Sequence, residues 1–105
     1  MDTQLKKGLL EICVLAALKK EDSYGYKIVK DISPYIEISE STLYPILRRL
    51  ENGKCLRIYS VEHRGRLRKY YKITDIGIER INDFLLGWPS MLNIYEFIKG
   101  GDELE

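Results

Sequence analysis

Apolar residues recur at offsets of three and four along most of this chain, and change to strict alternation only between Cys55 and Thr74. That pattern predicts helices over about 5–19, 23–33 and 39–52, two strands over about 55–62 and 67–74, and a last helix over about 75–99. From Leu9 to Leu18 the first helix is apolar on nearly every face. It is therefore expected to be buried on most sides, with part of it turned to a second subunit or a ligand. The second helix is predicted to start from Asp22-Ser23 as its cap and to pack through Gly25, Ile28, Val29 and Ile32. Ser33-Pro34 ends it, and Tyr35, Ile36 and Ile38 predict a short extended segment.

The third helix has the clearest division of faces. Leu43, Ile46, Leu47 and Leu50 form its inner stripe, and Ser41, Tyr44, Pro45 and Arg48 lie opposite, with Thr42 and Arg49 on the flanks. Ser39 is expected to cap it, Pro45 to kink it, and Gly53 to end it at positive φ. In the ribbon Leu56 and Ile58 alternate with Arg57 and Tyr59, and Leu67, Lys69, Tyr71 and Ile73 alternate with Arg68, Tyr70 and Lys72. His63-Arg64-Gly65-Arg66 would join the strands as a four-residue loop. Thr74-Asp75 caps the last helix, where Ile78, Ile81, Leu85, Trp88, Leu92 and Tyr95 keep heptad spacing. That stripe, widened by Phe84, Met91, Ile94 and Ile98, is more than one small domain can cover, so the helix is read as a dimerisation element. Gly87-Trp88-Pro89 should kink or break it, and residues 100–105 form a frayed tail. The fold class implied is mainly α with a small β-hairpin: a winged helix-turn-helix domain over 1–74, followed by the dimerisation helix.

Charge turns this outline towards a function. The net charge of the 105 residues is only +1. Yet residues 48–72 carry nine Lys or Arg against Glu51 and Glu62, a local +7, while 1–47 sum to −1 and 75–105 to −5. A basic segment next to a helix whose outer face holds hydroxyls, an aromatic ring and guanidiniums points to DNA. Ser41, Thr42, Tyr44, Arg48 and Arg49 are the candidates for the major groove. Arg48 is the best match to the paired acceptors of guanine. Arg64 and Arg66 at the wing tip would follow phosphates or enter the minor groove, and Lys69 and Lys72 would set register on the backbone.

Other chemistry has little to work with. One histidine, His63, and no paired acids or phosphate-cradling glycine loop argue against an enzyme. Cys13 and Cys55 lack metal-site spacing and read as reduced, packed thiols, so neither metal nor cofactor is expected. No apolar run is long enough to cross a bilayer and no secretory signal opens the chain, so the protein is expected in the cytoplasm without a membrane partner.

Three blocks together carry a family resemblance: Gly25-Tyr26; the run Ser41-Thr42-Leu43-Tyr44-Pro45-Ile46-Leu47-Arg48-Arg49-Leu50-Glu51; and Arg68-Lys69-Tyr70-Tyr71-Lys72-Ile73-Thr74, with Gly77 after it. From about Leu5 to Trp88 the chain resembles the PadR family of bacterial transcriptional regulators, and Trp88 falls where the short, drug-binding members carry a tryptophan. The resemblance implies a homodimeric repressor on a palindromic operator, its interface built from the last helix and the first, including Leu5 and Leu9. It also implies a flat cavity between subunits for a planar aromatic effector, lined by Ile12, Trp88 and Leu92. Pro89 departs from the family's helix and bears on the cavity's shape. Two other readings are a winged-helix protein-interaction module and a DNA binder without ligand control.

Overall fold

The computed structural model describes residues 1–101 and has the order α1 (Thr3–Lys20), α2 (Gly25–Ile32), α3 (Glu40–Asn52), β1 (Leu56–His63), β2 (Arg66–Ile73) and α4 (Asp75–Lys99). The expected tail beyond Gly101 lies outside the described residues. One core unites all six elements. Leu10, Val14, Leu15 and Leu18 of α1 meet Ile28 and Ile32 of α2, the inner stripe of α3, Leu56 and Tyr71 of the hairpin, and Ile81 of α4. Each fully buried Leu or Ile contributes roughly 1.5–3 kcal/mol by removing apolar surface from water.

Local chemistry explains most of the helix ends. Asp2 caps α1 by accepting from the Leu5 N–H at 3.2 Å, Ser39 caps α3 through Thr42, and Thr74 caps α4 through Gly77. Thr74 also donates to the Lys54 carbonyl at 2.5 Å, tying the end of the hairpin to the exit of α3. At that exit Cys55 N donates to Leu50 O and Lys54 N to Glu51 O, the paired bonds of a Schellman turn. The left-handed residue is Lys54, at φ 62°, and not Gly53, at φ −81°.

The structure departs from the sequence-based outline at several other points. Asp22 and Ser23 do not cap α2; Tyr24 occupies that position without a side-chain bond. Ser23 instead exchanges backbone hydrogen bonds with Tyr71, so the start of α2 is pinned along β2. Residues 35–38 form turns and irregular backbone, with no strand. The wing loop is the two-residue turn Arg64-Gly65, with φ of 53° and 79° and His63 paired to Arg66. Positive φ at both positions matches the right-handed twist of the strands better than the expected four-residue loop.

Helix α3 passes through Pro45 and α4 runs through Gly87-Trp88-Pro89 as continuous helices, so of the expected kink or break near 87–89 the break does not occur. Each proline removes one donor, but the carbonyls released, on Ser41 and Leu85, belong to exposed residues where water can satisfy them. The molecule measures 64 × 26 × 21 Å. Its length reflects α4: Gly77 and Ile81 are buried in the core, whereas every residue from Leu85 to Lys99 is exposed.

Candidate nucleic-acid interface

The outer face of α3 emerges as the spacing of its apolar residues requires. Because Leu43, Ile46, Leu47 and Leu50 are all buried, Ser41, Tyr44 and Arg48 are held at the surface. Ser39 Oγ lies 3.0 Å from Ser41 Oγ and donates to Thr42 Oγ1 at 3.1 Å, gathering three hydroxyls over the first turn of the helix. The dipole of that turn favours an anion there. Tyr44 leans back across Gly25: a Cβ at that glycine would meet the phenol oxygen at 2.7 Å. Partial burial, then the nearby Glu40 carboxylate, which accepts its hydrogen bond at 3.4 Å, raise the Tyr44 pKa, so the phenol stays a neutral donor.

Between α2, α3 and the wing lies a groove of about 540 Å³, lined by Tyr24, Gly25, Tyr26, Glu40, Tyr44, Arg68, Lys69 and Tyr71. Arg68 contributes most to its organisation, although its place in the sequence did not single it out. Its guanidinium sits 4.2 Å from the centroid of Tyr24, Tyr24 meets Tyr70 edge-on at 5.5 Å, and Tyr70 stacks on Tyr59 at 5.7 Å. Tyr59 in turn donates to Asp22 at 2.6 Å, and that bond, more than burial, raises its pKa. A cation over an aromatic face contributes about 0.5–1 kcal/mol at an exposed site and more when desolvated. The series fixes the wing to the head of α2. The alternation of β2 puts Arg68 and Tyr70 on one face; only the return of Tyr24 against that face shows their purpose.

The other candidates divide by what they touch. Arg48, Arg64 and Arg66 are exposed, with no ion pair among the described residues. Lys69 lines the groove beside Tyr44. Lys72 lies 3.8 Å from Asp22, a loose surface pair that leaves its amine accessible. Arg49 differs from the role expected of it. Its Nε and Nη2 donate to Glu11 Oε2 at 3.1 and 3.0 Å, and Glu11 Oε1 also receives Arg80 Nη2 at 2.5 Å. Arg49 therefore joins α3 to α1 and α4, and its position suits a structural tie better than a base contact. Burial opposes the Arg80 charge, but its bonds to Cys55 and Glu11 outweigh that and raise its pKa.

A family model described as the transcriptional regulator PadR-like family matches residues 14–83, from the middle of α1 into α4. This chain belongs to the PadR-like family. It is thus one of a family of transcriptional regulators, not of enzymes. Among similar solved structures is a transcriptional regulator from Clostridium thermocellum, 29% identical with a TM-score of 0.81, covering 91% of this chain and 95% of that one. A PadR-like transcription factor from Bacteroides fragilis is 34% identical with a TM-score of 0.79, covering 91% and 95%. Bacillus subtilis PadR, crystallised with operator DNA, shares the fold at 23% identity and a TM-score of 0.69, over 73% of this chain and 46% of that one.

In this PadR-like chain the residues expected at a subunit interface are not equivalent. Ile81 is only 5% exposed and belongs to the protomer's own core, so it has no surface to offer a partner. Ile78 and Leu9 are half-buried; Leu5, Leu85, Trp88, Leu92 and Tyr95 are exposed. Ile12 lies in a groove of about 380 Å³ between α1 and α4, beside Arg80 and Phe84. Trp88 and Leu92 do not line that groove and stand farther along α4, 44% and 49% exposed. Phe84 links the two regions, since it lines the groove and lies 5.8 Å from the Trp88 ring. No helix among the described residues is long and apolar enough to cross a membrane.

Proposed function

We propose that this chain acts as a homodimeric repressor, placing α3 in the DNA major groove, and that a planar aromatic or hydrophobic effector between subunits releases it. The observation that supports DNA binding most directly is the exposed face of Ser41, Tyr44 and Arg48 beside a groove whose far wall is the basic wing. In this reading Arg48 bonds guanine, the hydroxyls at the start of α3 take phosphate oxygens, and Arg64 and Arg66 follow the backbone or the minor groove. Two-fold symmetry calls for a palindromic site with half-sites roughly 34–36 Å apart.

Dimerisation is supported by the exposed apolar length of α4, where Leu85, Trp88, Leu92 and Tyr95 continue the heptad beyond the core. Effector binding would then use Ile12 from the groove and Trp88 and Leu92 from α4, brought together by the second copy. The deciding experiment is DNA binding as a function of salt. Arg64→Ala/Arg66→Ala should weaken binding to any duplex and flatten the log–log salt slope by about 0.9 for each phosphate left without its cation. Tyr44→Ala and Arg48→Ala should lower the ratio of operator to nonspecific affinity. Absence of any salt-dependent shift would favour a protein-interaction module. Planar aromatics that leave both Trp88 fluorescence and operator affinity unchanged would favour a constitutive binder.

A further inference from the structure

A helix in a major groove lies between two phosphate strands, and the wing can serve only one of them. Tyr44 and Glu40 turn one flank of α3 towards Arg68 and Lys69 of the wing. The other flank, Thr42, Pro45 and Arg49, faces the first turns of α1 across a groove of about 480 Å³ that also contains Lys6 and Lys7. Arg49 is committed to Glu11, so it does not neutralise this side. Lys7 is exposed and makes no ion pair among the described residues. Lys6 reaches Glu37 only at 3.9 Å, and the Glu37 side chain is 96% exposed, a pair that solvent and salt readily dissolve. Two available ammonium groups thus border the side of α3 that faces away from the wing, next to the Thr42 hydroxyl.

We infer that Lys6 and Lys7 form a second phosphate-binding site, for the DNA strand across the major groove from the wing. The inference rests on the docking proposed above. With it α3 is held from both sides: wing cations grip one backbone and the start of α1 grips the other. The groove is about 12 Å wide, so a protein that charged only one wall would leave the helix free to tilt about that wall. Backbone phosphates carry no base identity, so the contact should act equally on all sequences and set orientation.

The test is fluorescence anisotropy of the full chain on a labelled duplex of arbitrary sequence across a salt series. Lys6→Gln/Lys7→Gln should flatten the log–log slope by about 1–2 and, at low salt, weaken binding by roughly tenfold or more. The loss should add to that of Arg64→Ala/Arg66→Ala. A control, Lys19→Gln/Lys20→Gln, removes the same charge from the far end of α1 and should leave the slope unchanged. The inference is overturned if the Lys6/Lys7 variant keeps the wild-type slope while the wing variant loses its share; the reading of α3 and the wing then stands alone. Equal flattening by the Lys19/Lys20 control would also overturn it, since net charge alone would explain both. If the wild-type chain binds no duplex, this inference and the docking fail together.

Discussion

Replacing Glu11 by Gln keeps the shape of the side chain but removes the charge that holds three helices together. The Glu11 carboxylate is only 13% exposed and receives two donors from Arg49 and one from Arg80, while the arginines are 40% and 45% exposed. Hydrogen bonds to charged groups contribute about 1.5–3 kcal/mol each when well shielded, and exposed ion pairs about 0–1 kcal/mol. With the acid shielded and both guanidiniums nearly half in solvent, the set should be worth about 2 kcal/mol, well below the sum of three buried bonds. Gln can accept through one oxygen, but its amide sets donor against donor at the other arginine. Glu11→Gln should therefore lower stability by about 2 kcal/mol, or roughly 10 °C in Tm for a domain of this size.

The assay is urea unfolding followed by circular dichroism at one fixed protein concentration, because any self-association would make the measured stability depend on concentration. Arg49→Gln and Arg80→Gln should each cost about 1 kcal/mol or less, since Glu11 keeps its other partner. The double variant should cost about 1 kcal/mol more than their sum, because it leaves a shielded carboxylate unpaired. A Glu11→Gln chain within about 0.5 kcal/mol of wild type, on the scale of a neutral surface substitution, would mean that Glu11 does not tie the three helices, as would strict additivity of the two arginine changes.

Four further outcomes follow from particular residues. Lys54→Gly should stabilise by about 1 kcal/mol, measured in the same urea assay, because a non-glycine residue in the left-handed region costs about 1–2 kcal/mol and glycine returns part of that as lost entropy. Gly77→Ala should destabilise by roughly 3 kcal/mol, since its Cβ would meet the Cys55 carbonyl and the Ile73 side chain. Gly25→Ala should cost less than Gly77→Ala, because the nearest atom is the end of the mobile Tyr44 side chain; thermal melts would rank the two. Burial, then the charges of Tyr44 and Glu51, raise the Tyr71 pKa above the ordinary value near 10. Its folded pKa thus exceeds its unfolded one, so this contribution is complete below about pH 10 and is lost as pH rises through the folded pKa. The alkaline fall in stability should accordingly be shallower in Tyr71→Phe, and an unchanged slope would refute that assignment.

Much of the candidate interface could be read from one dimension because its causes are local. The caps at Ser39 and Thr74 bond three residues ahead, and the faces of α3 follow from spacings of three and four. The contacts that periodicity could not reveal join residues distant in sequence. Arg49 reaches back 38 residues to Glu11, Arg80 reaches 69, and Tyr59 reaches 37 to Asp22. Nothing in the neighbourhood of Arg49 distinguishes it from Arg48; only the packing of α1 against α3 does. Heptad spacing likewise could not separate Ile81 from Leu85. Both suit an apolar seam, but the first faces its own core and the second faces out.

Element order, the buried face of α3 and the charge of the wing are thus legible along the chain, because each follows from periodicity and composition within a short window. Only the packing of the helices shows which cations carry a carboxylate partner and which do not. Free and committed arginines are the same residue type in the same helix, and a carboxylate delivered by another helix makes the difference.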